Sequence, residues 1–285
     1  MAATPAADAQ LDNYERVAVL AAKDAGAVID AAFRKEKNIE HKGAMDLVTE
    51  TDKECEALIL QALQDAFPTH RFIGEEGSAA QGFTSELTDE PTWLVDPLDG
   101  TTNFVHRFPF VCVSIALAIN KKVVVGVVYN PVMRELFTAV AGRGARLNGA
   151  PICVSRAAEL GAALLVTEVG VARDDETIGA IFGRMGALTK QMRAVRALGS
   201  CALDLCSVAC GRADAMFEVG FGGPWDCAAG ALVVLEAGGR VTDVAGGPFG
   251  LMARRVLATN VHLADAVAAV LREQPLGPRE PQPPA

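Results

Sequence analysis

The chain has 285 residues, 51% of them hydrophobic and 21% charged, which is ordinary usage for a globular fold with room for two packed subdomains. A net charge of −9 excludes a protein built to neutralise a nucleic-acid backbone or an anionic membrane, since both demand clustered Lys and Arg. The most apolar stretches, 111–119 and 123–129, are strand-sized and far short of the ~18 residues that span a bilayer. Seven cysteines, an odd number, and a first decade (MAATPAADAQ) with neither a basic run nor an apolar one point to reduced thiols in the cytoplasm. Asp8 and Asp12 argue against an organellar transit segment, which is basic and poor in acids.

In chain order, Tyr14, Val17, Ala21, Val28, Ala32 and Phe33 recur mostly at helical intervals and predict an amphipathic helix over 14–33. A second apolar stripe, Cys55, Leu58, Ile59, Ala62, Leu63 and Ala66, predicts another helix, with Thr51 and Glu54 as its capping box and Pro68 just past its end. Asp52 falls in its first turn, where the helix dipole favours a carboxylate. Between Pro91 and Thr138 the pattern turns to β, with strands at 93–95, 111–119, 123–129 and 135–139, and Asn148-Gly149 supplies a turn. Farther on, strands at 162–167, 194–198 and 213–218 alternate with helices at 177–189 and 202–209. The reading is an α+β fold: an N-terminal α+β subdomain, 1–150, with the metal-binding loop, a C-terminal α/β subdomain, 151–274, and a disordered, proline-rich tail, 275–285.

The chemistry concentrates after Trp93, where an apolar strand runs into Asp96-Pro97-Leu98-Asp99-Gly100-Thr101. Pro97 fixes the backbone between the acids and Gly100 permits a close turn, so both carboxylates can face one point. Oxygen-seeking Mg²⁺ is held through a few carboxylates plus phosphate and water, and suits this pair. Gly100 and Thr101 would present backbone N–H groups at the start of the next element, a geometry that takes phosphate. On spacing alone the run also fits a solvated turn. Glu75 after Gly74 and Asp226 after Trp225 are further acids at element ends. If Glu75, Asp96, Asp99 and Asp226 converge, their charges repel strongly unless cations join them.

The Asp96–Thr101 core within residues 93–106, and Trp225-Asp226 running on to Gly238-Gly239, carry a specific likeness, joined by residues 46–52, Gly74-Glu75-Glu76 and Gly199-Ser200-Cys201-Ala202. On these motifs the chain resembles the inositol monophosphatase family from about residue 14 to 272. Residues 41–43, 49–52 and 220–225 are most similar to plant-type members, which act on L-galactose 1-phosphate as well as inositol phosphates. The resemblance implies a layered α/β/α/β/α fold with two sheets and Mg²⁺-dependent hydrolysis of inositol monophosphates and related polyol or sugar phosphates. It implies one Mg²⁺ on Glu75, Asp96 and the Leu98 carbonyl, a second on Asp96, Asp99 and Asp226, and a weaker third leaning on Glu75. Asp52 and Thr101, hydrogen-bonded together, and Glu75 would serve a metal-activated water. Asp99, Gly100, Thr101, Gly199, Ser200, Cys201, Glu218 and Asp226 would meet the substrate, with Glu218 as the discriminator. Ser200-Cys201 replaces the Thr-Ala pair of animal members, and one more residue separates Glu218 from Asp226. A homodimer and competition by Li⁺ are further implications.

Other motifs carry less. Cys206 and Arg212 have the Cys-x5-Arg spacing of cysteine phosphatases, but the intervening residues read as helix. Two residues separate Asp96 from Asp99, where dehalogenase-like phosphatases have one. His41, His70, His106 and His262 lack zinc spacing and read as surface or capping residues, and Gly142-Arg143-Gly144 lacks the third glycine of a dinucleotide fingerprint. A related phosphatase for histidinol phosphate or 3′-phosphoadenosine 5′-phosphate is an alternative. So is a non-catalytic polyol-phosphate binder, against which the complete acid set with Asp52 and Thr101 speaks.

Overall fold

A computed structural model describes residues 5–36, 39–41, 47–82 and 84–284. Two helices, α1 (Pro5–Phe33) and α2 (Glu50–Ala66), flank a short antiparallel hairpin, β1 (Ile39–His41) with β2 (Leu47–Thr49). They cover one face of a seven-stranded sheet formed by β3 (Arg71–Gly74), β4 (Thr92–Asp99), β5 (Cys112–Ile119), β6 (Lys122–Asn130), β7 (Glu135–Val140), β8 (Ala145–Leu147) and β9 (Ala150–Pro151). The strands lie in sequence order, β3 and β4 parallel and the rest an antiparallel meander. Alternation along β4 and β5 builds two cores at once. Trp93, Val95, Val113, Ile115 and Leu117 pack with Tyr14, Ile29 and Ile59, whereas Leu94, Ala116 and Ala118 face the other way.

That other face meets α6 (Cys201–Ala209) and α7 (Pro224–Glu236), which pack beneath a second sheet of order β11-β10-β12-β14-β13. Its strands are β10 (Leu164–Thr167), β11 (Ala194–Arg196), β12 (Ala215–Val219), β13 (Arg240–Thr242) and β14 (Arg255–Thr259). Burial of α7 from Pro224 through Val234 explains why no polar stripe marks it: it lies in the middle layer. On the far face, Leu165, Phe217 and Leu257 form a third core with Leu188 of α5 (Asp175–Thr189) and Val267 and Leu271 of α8 (Ala264–Arg272). The order of layers is α/β/α/β/α. No helix among the described residues is long and apolar enough to cross a membrane.

Three details depart from the sequence reading. The first helix begins at Pro5, not Tyr14, and Arg143 on the β7–β8 turn grips Asp8 and Asp12 along it. The capping box of α2 is Thr49 with Asp52, not Thr51 with Glu54, because the helix starts two residues earlier. The tail is seated: Glu280 pairs with the buried Arg184 of α5, Gly277 N–H donates to Glu280 Oε2 at 2.6 Å, and Arg255 donates to Pro281 O at 3.1 Å. Proline-rich composition rules out a helix there, yet a single carboxylate that satisfies a buried guanidinium is enough to dock it. The matched residues Lys42, Gly43 and Asp46 lie outside the described residues, as does the side chain of His41.

Two motifs set aside above find structural places. Cys206 sits inside α6 while Arg212 pairs with Glu135, and the amides of Gly142 and Gly144 donate to Glu236 at 2.7 and 2.8 Å, tying a hairpin to α7.

Candidate active site

The strand ends of the first sheet and the helix starts of the second half meet at one cleft of about 620 Å³. Glu75 opens α3 (Glu75–Gln81) directly after β3, and Gly74 leaves room there for Glu56: a Cβ would come 2.2 Å from Glu56 Oε1, which accepts from Glu76 N at 3.0 Å, and would make that side chain shift. Asp96 ends the regular part of β4, and pairing with β5 shifts between Asp96 and Asp99. Inside that irregularity Asp96 Oδ1 accepts from Leu98 N at 2.9 Å. Gly100, at φ 92, then turns the chain into the short α4 (Thr101–His106), with its α-carbon facing backbone oxygens of Phe110 and Gly199. Glu75, Asp96, Leu98, Asp99, Gly100 and Thr101 line the cleft from this side; Gly199, Ser200, Cys201, Glu218 and Asp226 line it from the other.

Asp52 stands behind the wall. Its Oδ2 accepts from Thr49 N at 2.8 Å, as the capping box requires, and its Oδ1 accepts from Thr101 Oγ1 at 3.0 Å. One carboxylate therefore caps α2 and orients the threonine hydroxyl, which also approaches Leu98 O at 3.2 Å. The roles merge because β2 and α2 deliver Asp52 to the underside of the β4–α4 turn.

Electrostatically the cleft is a concentration of like charge. Burial, then Glu75, Asp99 and Asp226, hold the Asp96 carboxyl well above the usual range. Burial, then Asp99 and Glu75, do the same to Asp226. Asp99 is raised to about 6 by burial, against hydrogen bonds from Ser200 and Ala202 that favour its charged form. Glu218 reaches about 8 through burial and the charges of Glu168 and Asp99, and its Oε2 is buried without a partner. Among the described residues no three His, Cys, Asp or Glu side chains are yet drawn together as a metal cage. The oxygens of Glu75, Asp96, Asp99, Asp226 and Leu98 on the cleft lining nevertheless fit a hard cation, whose positive charge would relieve the acids.

The junction between the halves is hydrogen-bonded in detail. Asp99 Oδ2 accepts from Ser200 Oγ at 2.6 Å and Ala202 N at 2.8 Å, so it docks on the start of α6 and the Ser200 hydroxyl is spent inside the protein. Asn103 Nδ2 donates to Phe110 O and Leu198 O at 2.8 and 2.7 Å, and Glu168 Oε1 accepts from Leu198 N and Gly199 N at 2.7 and 2.8 Å. Arg254 grips the carbonyls of Gly220 and Phe221, bracing the loop between Glu218 and Asp226. Asn103, Glu168 and Arg254 were not singled out by sequence. Glu168 did carry a signal, an acid closing an apolar strand, the same one that marks Asp96. His106 is exposed, as expected of a surface residue, and borders the cleft.

Five alternating layers with an acid-lined cleft where the halves meet define a small-molecule phosphatase. The sequence model of the Inositol monophosphatase family matches residues 10–276, and the chain belongs to that family. It is similar to inositol monophosphatase 2 of Solanum lycopersicum, with 59% identity over 263 residues that cover 92% of this chain and 99% of the relative. Inositol monophosphatase 1 of Homo sapiens is 45% identical over 91% of this chain and 94% of its own length. Among solved structures, the inositol monophosphatase from Anabaena (Nostoc) sp. PCC 7120 superposes with a TM-score of 0.81 at 38% identity, covering 93% of this chain and 98% of that one. The chain is thus an enzyme, a phosphatase of a generally metal-dependent family that acts on small phosphate substrates.

Proposed function

We propose that the chain hydrolyses myo-inositol monophosphates and related polyol or sugar phosphates, L-galactose 1-phosphate among them, with Mg²⁺ as the metal. The observation that carries this is the meeting of Glu75, Asp96, Asp99 and Asp226 at one cleft with the Thr101–Asp52 hydrogen bond in its wall. Glu75, Asp96, Asp99, Asp226 and the Leu98 carbonyl would hold the ions, which when bound offset the phosphate's charge, acidify water and stabilise the leaving oxygen. The chain's own part is positioning. Asp52 accepts the Thr101 hydroxyl's hydrogen bond, leaving that hydroxyl's lone pairs to accept from an attacking water, and Glu75 would hold the water from across the cleft. Gly100 and Thr101 receive the phosphate, while Gly199, Cys201 and Glu218 face the hydroxyls of the leaving group. Glu218, raised to about 8, is able both to donate to and to accept from a polyol near neutral pH.

The same reading makes residues 1–150 and 151–274 the two walls of one site, places the enzyme in the cytoplasm, where its unpaired thiols stay reduced, and makes it a homodimer inhibited by Li⁺. The test is phosphate release from inositol 1-phosphate, L-galactose 1-phosphate, histidinol phosphate and 3′-phosphoadenosine 5′-phosphate, with and without Mg²⁺ and Li⁺. Mg²⁺-dependent release, fastest by kcat/KM on one of the first two, is expected. Equal release in a chelator, or preference for either of the last two, overturns it.

A further inference from the structure

Two backbone turns serve the two ends of the substrate in the proposed reaction, Gly100–Thr101 in the first half of the chain and Leu198–Gly199 in the second, and they touch each other. Gly100 and Gly199 both lie in the left-handed region, at φ 92 and 84, and a Cβ on Gly100 would come 3.0 Å from Gly199 O. The side chain that stands at this contact is Asn103, in α4 just after Thr101. Its Nδ2 is 3.6 Å from the Cβ position of Gly100 and 2.8 Å from that of Gly199.

Asn103 Nδ2 donates to Phe110 O at 2.8 Å, to Leu198 O at 2.7 Å and to Gly199 O at 3.2 Å. Three carbonyl oxygens can surround only the amide nitrogen, because Oδ1 accepts and has nothing to donate. Phe110 belongs to the first half and Leu198 and Gly199 to the second, so one planar group is bonded across the junction. The amides of the same turn are taken by Glu168 Oε1 at 2.7 and 2.8 Å. Every backbone N–H and C=O of Leu198 and Gly199 is thus engaged, the amides by their own half and the carbonyls by the other. The turn meets a leaving group as a fixed wall. Asp99 also crosses to this side, through Ser200 Oγ and Ala202 N, but the proposed function gives that carboxylate to a cation. Asn103 carries no charge and does not titrate, so its hold is the same with the ion bound or absent.

We infer that Asn103 is a positioning residue that sets the spacing between the phosphate-receiving turn and the leaving-group turn, and through it the size of leaving group that the cleft accepts. This deepens the function proposed above and rests on its assignment of the two turns to the two ends of the substrate. Asn103→Asp keeps the shape and sets an acceptor against three carbonyl oxygens; Asn103→Ala removes the donors and supplies the comparison if the Asp variant does not fold. Two constants are read in the full chain: KM for inositol 1-phosphate, which engages both turns, and Ki for inorganic phosphate, which engages the first alone. In either variant KM should rise on the order of tenfold, the loss of roughly one hydrogen bond's stabilisation, while Ki moves less than about threefold and kcat falls less than KM rises. A merely loosened fold would lower the active fraction, and so kcat, with KM kept. KM within about twofold of wild type, or Ki rising in step with KM, overturns the spacing role. The proposed function fails separately and in the wild type: should another phosphate of the panel be preferred there, KM is read on that one and the same two outcomes decide the role of Asn103.

Discussion

Charge is buried in two regions of this molecule under opposite rules. At the far end of the second sheet, Arg184 meets Glu280 and Arg255 meets Asp243, with side chains at most 3% exposed, each cation matched to one acid. At the cleft, Asp96 and Asp226 are 2% and 8% exposed and face further acids; among the described residues no Lys or Arg pairs with either or with Asp99. The first arrangement docks a tail. The second opposes folding, and on the function proposed above it is kept for the cation and phosphate that its clustered oxygens would hold. Stability and function thus occupy separate places in one chain.

The sharpest way to break this contrast is Asp96→Asn. Removing one of the mutually repelling acids should lower kcat by on the order of 10³-fold or more, since on the proposed function a carboxylate that would hold the metal is lost where transition-state charge develops. The metal-free variant should melt no lower than wild type, because the substitution relieves repulsion. Near-normal turnover, or a large loss of stability, would place Asp96 among the structural pairs. The converse substitution, Glu280→Ala, leaves Arg184 buried and unmatched and should cost about 3–5 kcal/mol in urea unfolding with kcat nearly intact. A cost below about 1 kcal/mol would put the tail in solvent. Thr101→Ala comes next, lowering kcat about 10²-fold while KM moves little, as expected for a group that orients water rather than substrate. An effect confined to KM would make Thr101 a binding residue.

What could be read from sequence follows the same division. Asp96 and Asp99 were legible because the strand, Pro97 and Gly100 that aim them are all within a few positions. Glu75 and Asp226 became legible only by resemblance, since nothing local separates them from surface acids. Asp52 was placed in the first turn of its helix, where it lies, but the capping box was read as Thr51 with Glu54 instead of Thr49 with Asp52, because both threonines are competent caps and only the fold chooses. Asn103 and Glu168 act on partners 95 and 30 residues away, and no local pattern reports such a meeting. The tail was misread for a related reason: its composition records many prolines and little apolar surface, while its docking depends on one carboxylate finding one guanidinium.

The smallest expected effect, and the one that compares the two regions in a single measurement, is the pH dependence of stability without metal. Burial raises Asp99 from 3.8 to about 6 and Glu218 from 4.5 to about 8. A carboxyl raised on folding binds more protons folded than unfolded in that interval, so its contribution is fully favourable below its ordinary value and is lost as pH climbs to the folded one. Glu280 runs the other way: burial works against its charge, but the Arg184 hydrogen bonds outweigh it and hold its pKa below 4.5. Its contribution is therefore present above the ordinary value and disappears only in acid, outside the window where the cleft titrates. Between pH 5 and 8 the metal-free protein should lose on the order of 5 °C in Tm, and Mg²⁺ should return most of it at the upper end. Glu218→Gln should make the fall above pH 6 shallower without abolishing it, since Asp96 and Asp226, held well above the usual carboxylate range, also titrate on that side. If Tm instead holds level or rises from pH 5 to 8 in a chelator, the acids of the cleft are already compensated within the protein, and the contrast with the tail disappears.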